Sequence, residues 1–127
     1  MEDSQGEVHI YDIYGVDEKH VQDRVLVEGF LRNSCEEADL TVVGEKSHEF
    51  QSQGEGFSTV LLLAESHVAV HSWPEHDYMS LTIDTCWSSD RTIDFLGYFL
   101  DRLDYSSARS HTVGRSFEIT DEPTGLE

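Results

Sequence analysis

A chain of 127 residues with 38% hydrophobic content is long enough for one core of ordinary size, so a single domain over 1–127 is expected. It carries 26 Asp plus Glu against 8 Lys plus Arg, a formal net charge of −18. That argues against nucleic acid as a partner, because such binding rests on Lys and Arg meeting phosphates.

No apolar run approaches the ~20 residues that a bilayer-spanning helix needs, so no membrane partner is expected. The acidic start MEDSQGEVH lacks the basic stretch of a secretory signal, which makes the cytoplasm the expected location. The acids are scattered along the chain, and Lys19 and Lys46 are the only lysines. Such a surface suits a high-salt cytoplasm, where screening shortens electrostatic reach to ~3 Å at 1 M. Cys35 and Cys86 make no disulfide framework and are expected as free thiols, Cys35 as a buried structural residue.

In chain order, EVHIYDIYG (7–15) alternates and is rich in β-branched and aromatic residues, which predicts a strand. Residues 16–38 read as one helix, with Val21, Val25 and Cys35 at helical spacing and Asp17 as N-cap. DLTVVGEKSHEF (39–50) reads as a strand and QSQGEG (51–56) as a turn or loop. FSTVLLLAE and HVAVHSW form one long strand or two successive ones, and after PEHD, YMSLTIDTCW (78–87) alternates again. Residues 88–104 open with Ser and Asp capping candidates and carry Ile93, Leu96, Leu100 and Leu103 on one helical face. A last strand is expected over 109–119. The order β-α-β-β-β-α-β favours an α+β class, a two-layer sandwich of an antiparallel sheet with two helices packed on one face.

The stretch LLLAESHVAVHSWPEHDY (61–78) begins as a buried strand and then crowds Glu65, Ser66, His67, His71, Trp73, Glu75 and His76 together. Ser66 lacks the G-x-S-x-G elbow of a hydrolase nucleophile. His67 and His71 share one strand face, but clear zinc-ligand spacing and a Cys pair are missing, so no metal is expected. On the residues alone, Phe50 reads as core, Glu75 as a solvated turn residue and Cys86 as a buried strand thiol. Asp12 lies on a strand face otherwise lined by Val8 and Ile10.

LAESHVAVHSWPE resembles the processing site of the small prokaryotic S-adenosylmethionine decarboxylases, through the pattern E-S-H-x-x-x-H-[ST]-W-P-E. DTCW lies where that family has FTC, Ser58 stands eight positions before Ser66, and HEF (48–50) resembles the family's HRF. The resemblance is strong over 63–86, loose before that and thin in the C-terminal third. This chain departs from the pattern in its longer, proline-free QSQGEG loop, in Asp12 where glutamate is common, and in Trp87 where the family tends to have glycine.

The resemblance implies a self-processing, pyruvoyl-dependent decarboxylase. Its small-molecule substrate would be S-adenosylmethionine, decarboxylated for spermidine and other polyamine synthesis, with arginine or ornithine as the alternative. An unprocessed, non-catalytic nucleoside-binding relative is the rival of another class. Ser66 would attack the Glu65 carbonyl, giving fragments 1–65 and 66–127, the second starting with a pyruvoyl group that acts as the cofactor. His71 would be the base for processing, Ser58 would steady the intermediate, and Cys86 would return a proton to carbon. Glu75 would bind ribose, Phe50 would stack on adenine, and Asp12 would pair with a cationic substrate or hold the processing site. Ser66 and His71 are five apart and so on opposite faces of a regular strand; a bulge or a turn at the scissile bond is expected to bring them together. Family members of this size pair their protomers, so a homodimer of processed chains is expected.

The charge balance makes a prediction of its own. Melting temperature followed from low to molar salt should rise as screening relieves self-repulsion, and a flat or falling curve would contradict the high-salt reading.

Overall fold

The computed structural model describes residues 6–50, 56–64, 66–86 and 89–116. The elements run β1 (Glu7–Tyr14), α1 (Glu18–Val21), α2 (Arg24–Glu37), β2 (Val42–Glu49), β3 (Phe57–Leu63), β4 (Ser66–Trp73), a 3-10 turn (Pro74–His76), β5 (Tyr78–Thr85), α3 (Ser89–Arg102) and β6 (Ser107–Gly114). The expected 51–55 loop, the processing residue Glu65, Trp87, the capping candidate Ser88 and the 117–119 end of the last strand lie outside the described residues.

The six strands form one sheet in the order β2-β3-β4-β5-β1-β6, and every pairing is antiparallel. Alternation decides what each face does. Phe57, Leu61 and Leu63 of β3, Val68 and Val70 of β4, and Met79, Leu81 and Ile83 of β5 are buried. They meet Val27, Leu31 and Cys35 of α2 and Phe95, Leu96, Phe99 and Leu103 of α3 in one core. The intervening residues, among them Ser58, His71, Ser80 and Asp12, occupy the other face, which no helix among the described residues covers. The α+β sandwich is thus the observed architecture, and residues 57–73 form two antiparallel strands of a hairpin rather than one long strand.

The long helix expected over 16–38 is two helices. Asp17 caps α1, its carboxylate accepting from the Lys19 backbone N–H at 2.9 Å. Asp23 caps α2, accepting from the Leu26 N–H at 3.1 Å. A second N-cap six residues after the first starts a new helix and resets the phase of the apolar stripe. Val21 and Cys35 are therefore buried, while Val25 is 63% exposed. A similar shift affects α3: Phe95 and Phe99, four apart, take the centre of the buried face with Thr92, Leu96 and Leu103. Leu100 packs at the margin of that face, and Ile93 is left 63% exposed.

This geometry predicts opposite outcomes for two apolar helix positions. Leu31→Ala, at a fully buried site, should cost about 2–5 kcal/mol in chemical denaturation. Ile93→Lys should stay within about 0.5 kcal/mol, as for an ordinary surface change.

Candidate active site

At one end of the uncovered face, a cavity of about 500 Å³ is lined by Phe50, Ser58, His71, Trp73 and Glu75, with Gly56 and Ser72 at its floor. Register brings these residues together. Ser58 of β3 lies directly opposite His71 of β4, and Trp73, two residues on, shares the face of His71. The Ser58 Oγ and His71 Nδ1 stand 2.6 Å apart, a hydrogen bond in which either atom donates according to the imidazole tautomer. The His71 and Trp73 ring centroids are 6.0 Å apart, and the Phe50 ring, 42% exposed, meets His48 edge-on at 4.9 Å.

The backbone sets the cavity floor. The Phe50 N–H donates to the Gly56 carbonyl at 2.7 Å, and the Phe57 N–H donates to the Ser72 Oγ at 3.0 Å. A Cβ on Gly56 would lie 2.6 Å from the Ser72 carbonyl oxygen and 3.1 Å from Pro74 Cδ, so only glycine fits. The turn Pro74–His76 ends on Asp77 in the left-handed region at φ 50°, which reverses the chain into β5 and leaves Glu75 at the cavity mouth.

Asp12 stands two strands from His71, with Ser80 between them in the same cross-strand row. Its carboxylate accepts a 2.5 Å hydrogen bond from the Tyr78 hydroxyl. Burial, and then the adjacent Asp12 carboxylate, push the Tyr78 phenol up to about 12, so it stays a donor at neutral pH. Asp12 does not line the cavity. Tyr78 and Trp73, whose rings are 5.3 Å apart, join it to the cavity wall.

Ser66 and Cys86 occupy the other end of β4. Ser66 opens the strand opposite Leu63, and its hydroxyl oxygen is buried with no hydrogen-bond partner among the described residues. Cys86 follows the last residue of β5 and is exposed. The register pair His67–Asp84 puts Ser66 and Cys86 at the same end of the β4–β5 ladder.

The bulge or turn expected to unite Ser66 with His71 does not do so. β4 pairs with both β3 and β5 without a register shift from end to end. The turn at Ala64 precedes both residues, so the regular rise of ~3.3 Å per residue keeps them about 16 Å apart along the strand. Within one chain the residues singled out from sequence thus form two groups: Phe50, Ser58, His71 and Glu75 at the cavity, and Ser66 and Cys86 at the far end.

In the sequence, Trp73 has no role in the site beyond its place in the crowded 61–78 stretch, and Ser72, Gly56 and Tyr78 are not site candidates. The parity of Trp73 with His71 was the available signal. The other three become visible only through strand pairing.

Fold and site together put the chain among the small two-layer α+β sandwiches. Residues 7–116 match the family model described as S-adenosylmethionine decarboxylase, and the chain belongs to that family. A Sulfurihydrogenibium protein named S-adenosylmethionine decarboxylase proenzyme is 35% identical over 106 residues, covering 81% of this chain and 76% of that one. An Aeropyrum pernix protein named arginine decarboxylase proenzyme is 32% identical over 113 residues, covering 88% and 86%. The crystal structure of the adenosylmethionine decarboxylase from Aquifex aeolicus aligns with a TM-score of 0.82 at 23% identity, over 96% of this chain and 99% of that one, and shares the fold.

Proposed function

We propose that this chain is a cytoplasmic, self-processing S-adenosylmethionine decarboxylase, acting as a homodimer of cleaved protomers and supplying decarboxylated S-adenosylmethionine for polyamine synthesis. The observation that carries the reading is the cavity itself. It gathers Phe50, Ser58, His71 and Glu75, which the sequence scatters over some 25 positions. Its volume of about 500 Å³ falls within the range of small-molecule sites. An exposed aromatic ring beside a carboxylate suits a nucleoside, with Phe50 stacking on the base and Glu75 accepting from the ribose hydroxyls. Arginine and ornithine have no ring to offer Phe50, which favours S-adenosylmethionine over them.

The far group fits the self-made cofactor. A buried hydroxyl without a partner is costly unless it has another use. The uncommitted Ser66 Oγ suits attack on the carbonyl carbon of Glu65, which shifts the chain from amide to ester. His71 would then take the α-proton of Ser66, and β-elimination would release residues 1–65 with a free carboxylate. The dehydroalanyl end left on residues 66–127 would tautomerise to an imine, which water would hydrolyse to pyruvoyl with loss of ammonia. Ser58, held on His71 Nδ1, would donate to the developing oxyanion during the attack. The pyruvoyl group derived from Ser66 supplies the electron sink that amino-acid decarboxylation requires. Cys86 would deliver its thiol proton to substrate carbon.

These roles need the two groups to meet, and a second copy of the chain can join them. The uncovered sheet face carries Tyr14, Leu62, Trp73 and Val113, all more than a third exposed, as an apolar surface for a partner. A two-fold axis through that face would set the Ser66–Cys86 end of each chain against the cavity end of the other, making two equivalent sites.

Two experiments test the reading. Denatured mass should reveal fragments 1–65 and 66–127, the second with pyruvoyl in place of its N-terminal serine, and carbon dioxide should be released from S-adenosylmethionine. An intact chain would leave the non-catalytic reading, whereas release from arginine or ornithine alone would change the substrate and keep the mechanism. Shared sites predict complementation as well. Co-expressed Ser66→Ala and His71→Ala chains, each inactive alone, should recover up to about a quarter of wild-type activity, because one site of each hybrid dimer is whole. No recovery from purified hybrid dimers would place each site within one chain.

A further inference from the structure

Beneath the cavity, on the helix side of the sheet, lies a polar cluster with no part in the chemistry above. Glu28 of α2 is only 4% exposed. Its Oε1 accepts from Arg24 Nη1 at 2.8 Å, and its Oε2 accepts from Thr59 Oγ1 at 2.8 Å and from the Ser47 hydroxyl. The Thr59 hydroxyl also reaches Ser47 Oγ at 3.3 Å, and Arg24 Nε donates to Glu49 Oε2 at 2.6 Å. Burial drives the carboxyl of Glu28 upward, but the hydrogen bonds from Ser47, Thr59 and Arg24, with the Arg24 charge, outweigh it and hold Glu28 below the usual carboxylate range. Glu28 is therefore a buried carboxylate with both oxygens engaged.

The partners of Glu28 and Arg24 on β2 and β3 alternate with residues of the opposite sheet face, Phe50 and Ser58 of the cavity among them. Ser47, Glu49 and Thr59 face α2, while His48, Phe50 and Ser58 follow or precede them and turn toward the uncovered face. β2 stands at the edge of the sheet and none of its residues is fully buried; Val42, at its start, packs against the core, but from Glu45 to Glu49 it offers no apolar side chain to α2. Apart from its ladder with β3, it is held to α2 by polar links: Ser47 to Glu28, Glu49 to Arg24, and Glu45 to Arg32 Nη1 with both oxygens at 2.9 Å.

We propose that Glu28 is a positioning residue that fixes the β2–β3 hairpin from behind, so that Phe50 and Ser58 keep their places in the cavity wall. Its catalytic consequence rests on the decarboxylase reading; its structural consequence does not. Truncating Glu28 leaves the Ser47 and Thr59 hydroxyls and the Arg24 guanidinium without their common acceptor, and β2 loses its one buried anchor.

Glu28→Ala, Arg24→Met and Leu31→Ala separate positioning from general loss of stability. Leu31 is fully buried on the same helix and serves as the control. Glu28→Ala should raise KM about tenfold with kcat within about twofold, the signature of lost ground-state contact at Phe50. It should also slow self-cleavage through Ser58. Arg24→Met, which removes only the cation, should shift both in the same direction by a few-fold, and it serves alone if Glu28→Ala fails to fold. Hydrogen exchange provides a readout free of activity: amides of Ser47–Glu49 and Phe57–Thr59 should lose protection in the Glu28 and Arg24 variants while those of β4 and β5 keep theirs. An unchanged KM together with unchanged exchange, or equal changes in Leu31→Ala, would overturn the proposal. If the parent chain releases no carbon dioxide, the decarboxylase reading fails, and the exchange pattern alone decides the role of Glu28.

Discussion

An unbroken antiparallel ladder allows its strands no freedom to fold back on themselves, and β4 lies in such a ladder on both sides. Everything functional in the molecule is arranged around that constraint. The helix-side residues of β3, β4 and β5 build the core, and the intervening residues are left for a cavity and a face that no described helix covers. Residues thirteen apart, Ser58 and His71, come into hydrogen-bond contact because they are register partners. Residues five apart, Ser66 and His71, are kept separate by the same rule. On the decarboxylase reading, a chain built in this way would hold half a site at each end of one strand, and two-fold symmetry would be the economical means of uniting the halves.

How much of this was legible in the sequence follows from the range of each signal. Period-two alternation and β-branched content marked the strands, and the antiparallel sandwich followed from their order with the helices. The helix 16–38 misled because an apolar stripe was traced through Asp23, a second N-cap that breaks the phase. Ile93 misled because the face was drawn through Ile93, Leu96, Leu100 and Leu103, whereas Phe95 and Phe99, whose larger rings win the core-facing direction, turn it away from Ile93. The site's chemistry was legible only as a resemblance carried by the E-S-H-x-x-x-H string. Its geometry was not, since cross-strand register lies outside any local window. The Tyr78–Asp12 hydrogen bond joins residues 66 positions apart, and nothing in either local stretch signals it.

The scarcity of cations gives the few present an unusual weight. Among the described residues, Arg24, Arg32, Arg91, Arg102, Arg115 and Lys19 all sit within 4.0 Å of a carboxylate. Exposed pairs of this kind contribute little each and weaken in salt. Those on α2 differ because they reach across to an edge strand whose apolar anchorage is confined to Val42 at its start. The Glu28 end of that set is shielded from solvent and so is screened least, which keeps the cavity wall seated under ionic conditions that would loosen the rim.

The strand order has one more implication. A chain opened between Glu65 and Ser66 would contribute β1, β2 and β3 from one piece and β4, β5 and β6 from the other. Across the sheet the pieces then alternate as two strands, two strands, one and one, because β1 is inserted between β5 and β6. Three ladders, β3 with β4, β5 with β1 and β1 with β6, would join the pieces. The cut product would therefore be interleaved rather than merely docked, and neither piece could leave without stripping the other of a neighbouring strand. Once unfolded, however, the two pieces would have to find each other by diffusion, so recovery would become a second-order process. Folding would have to precede cutting, and the mature protein would be held together by a path it could not easily retrace.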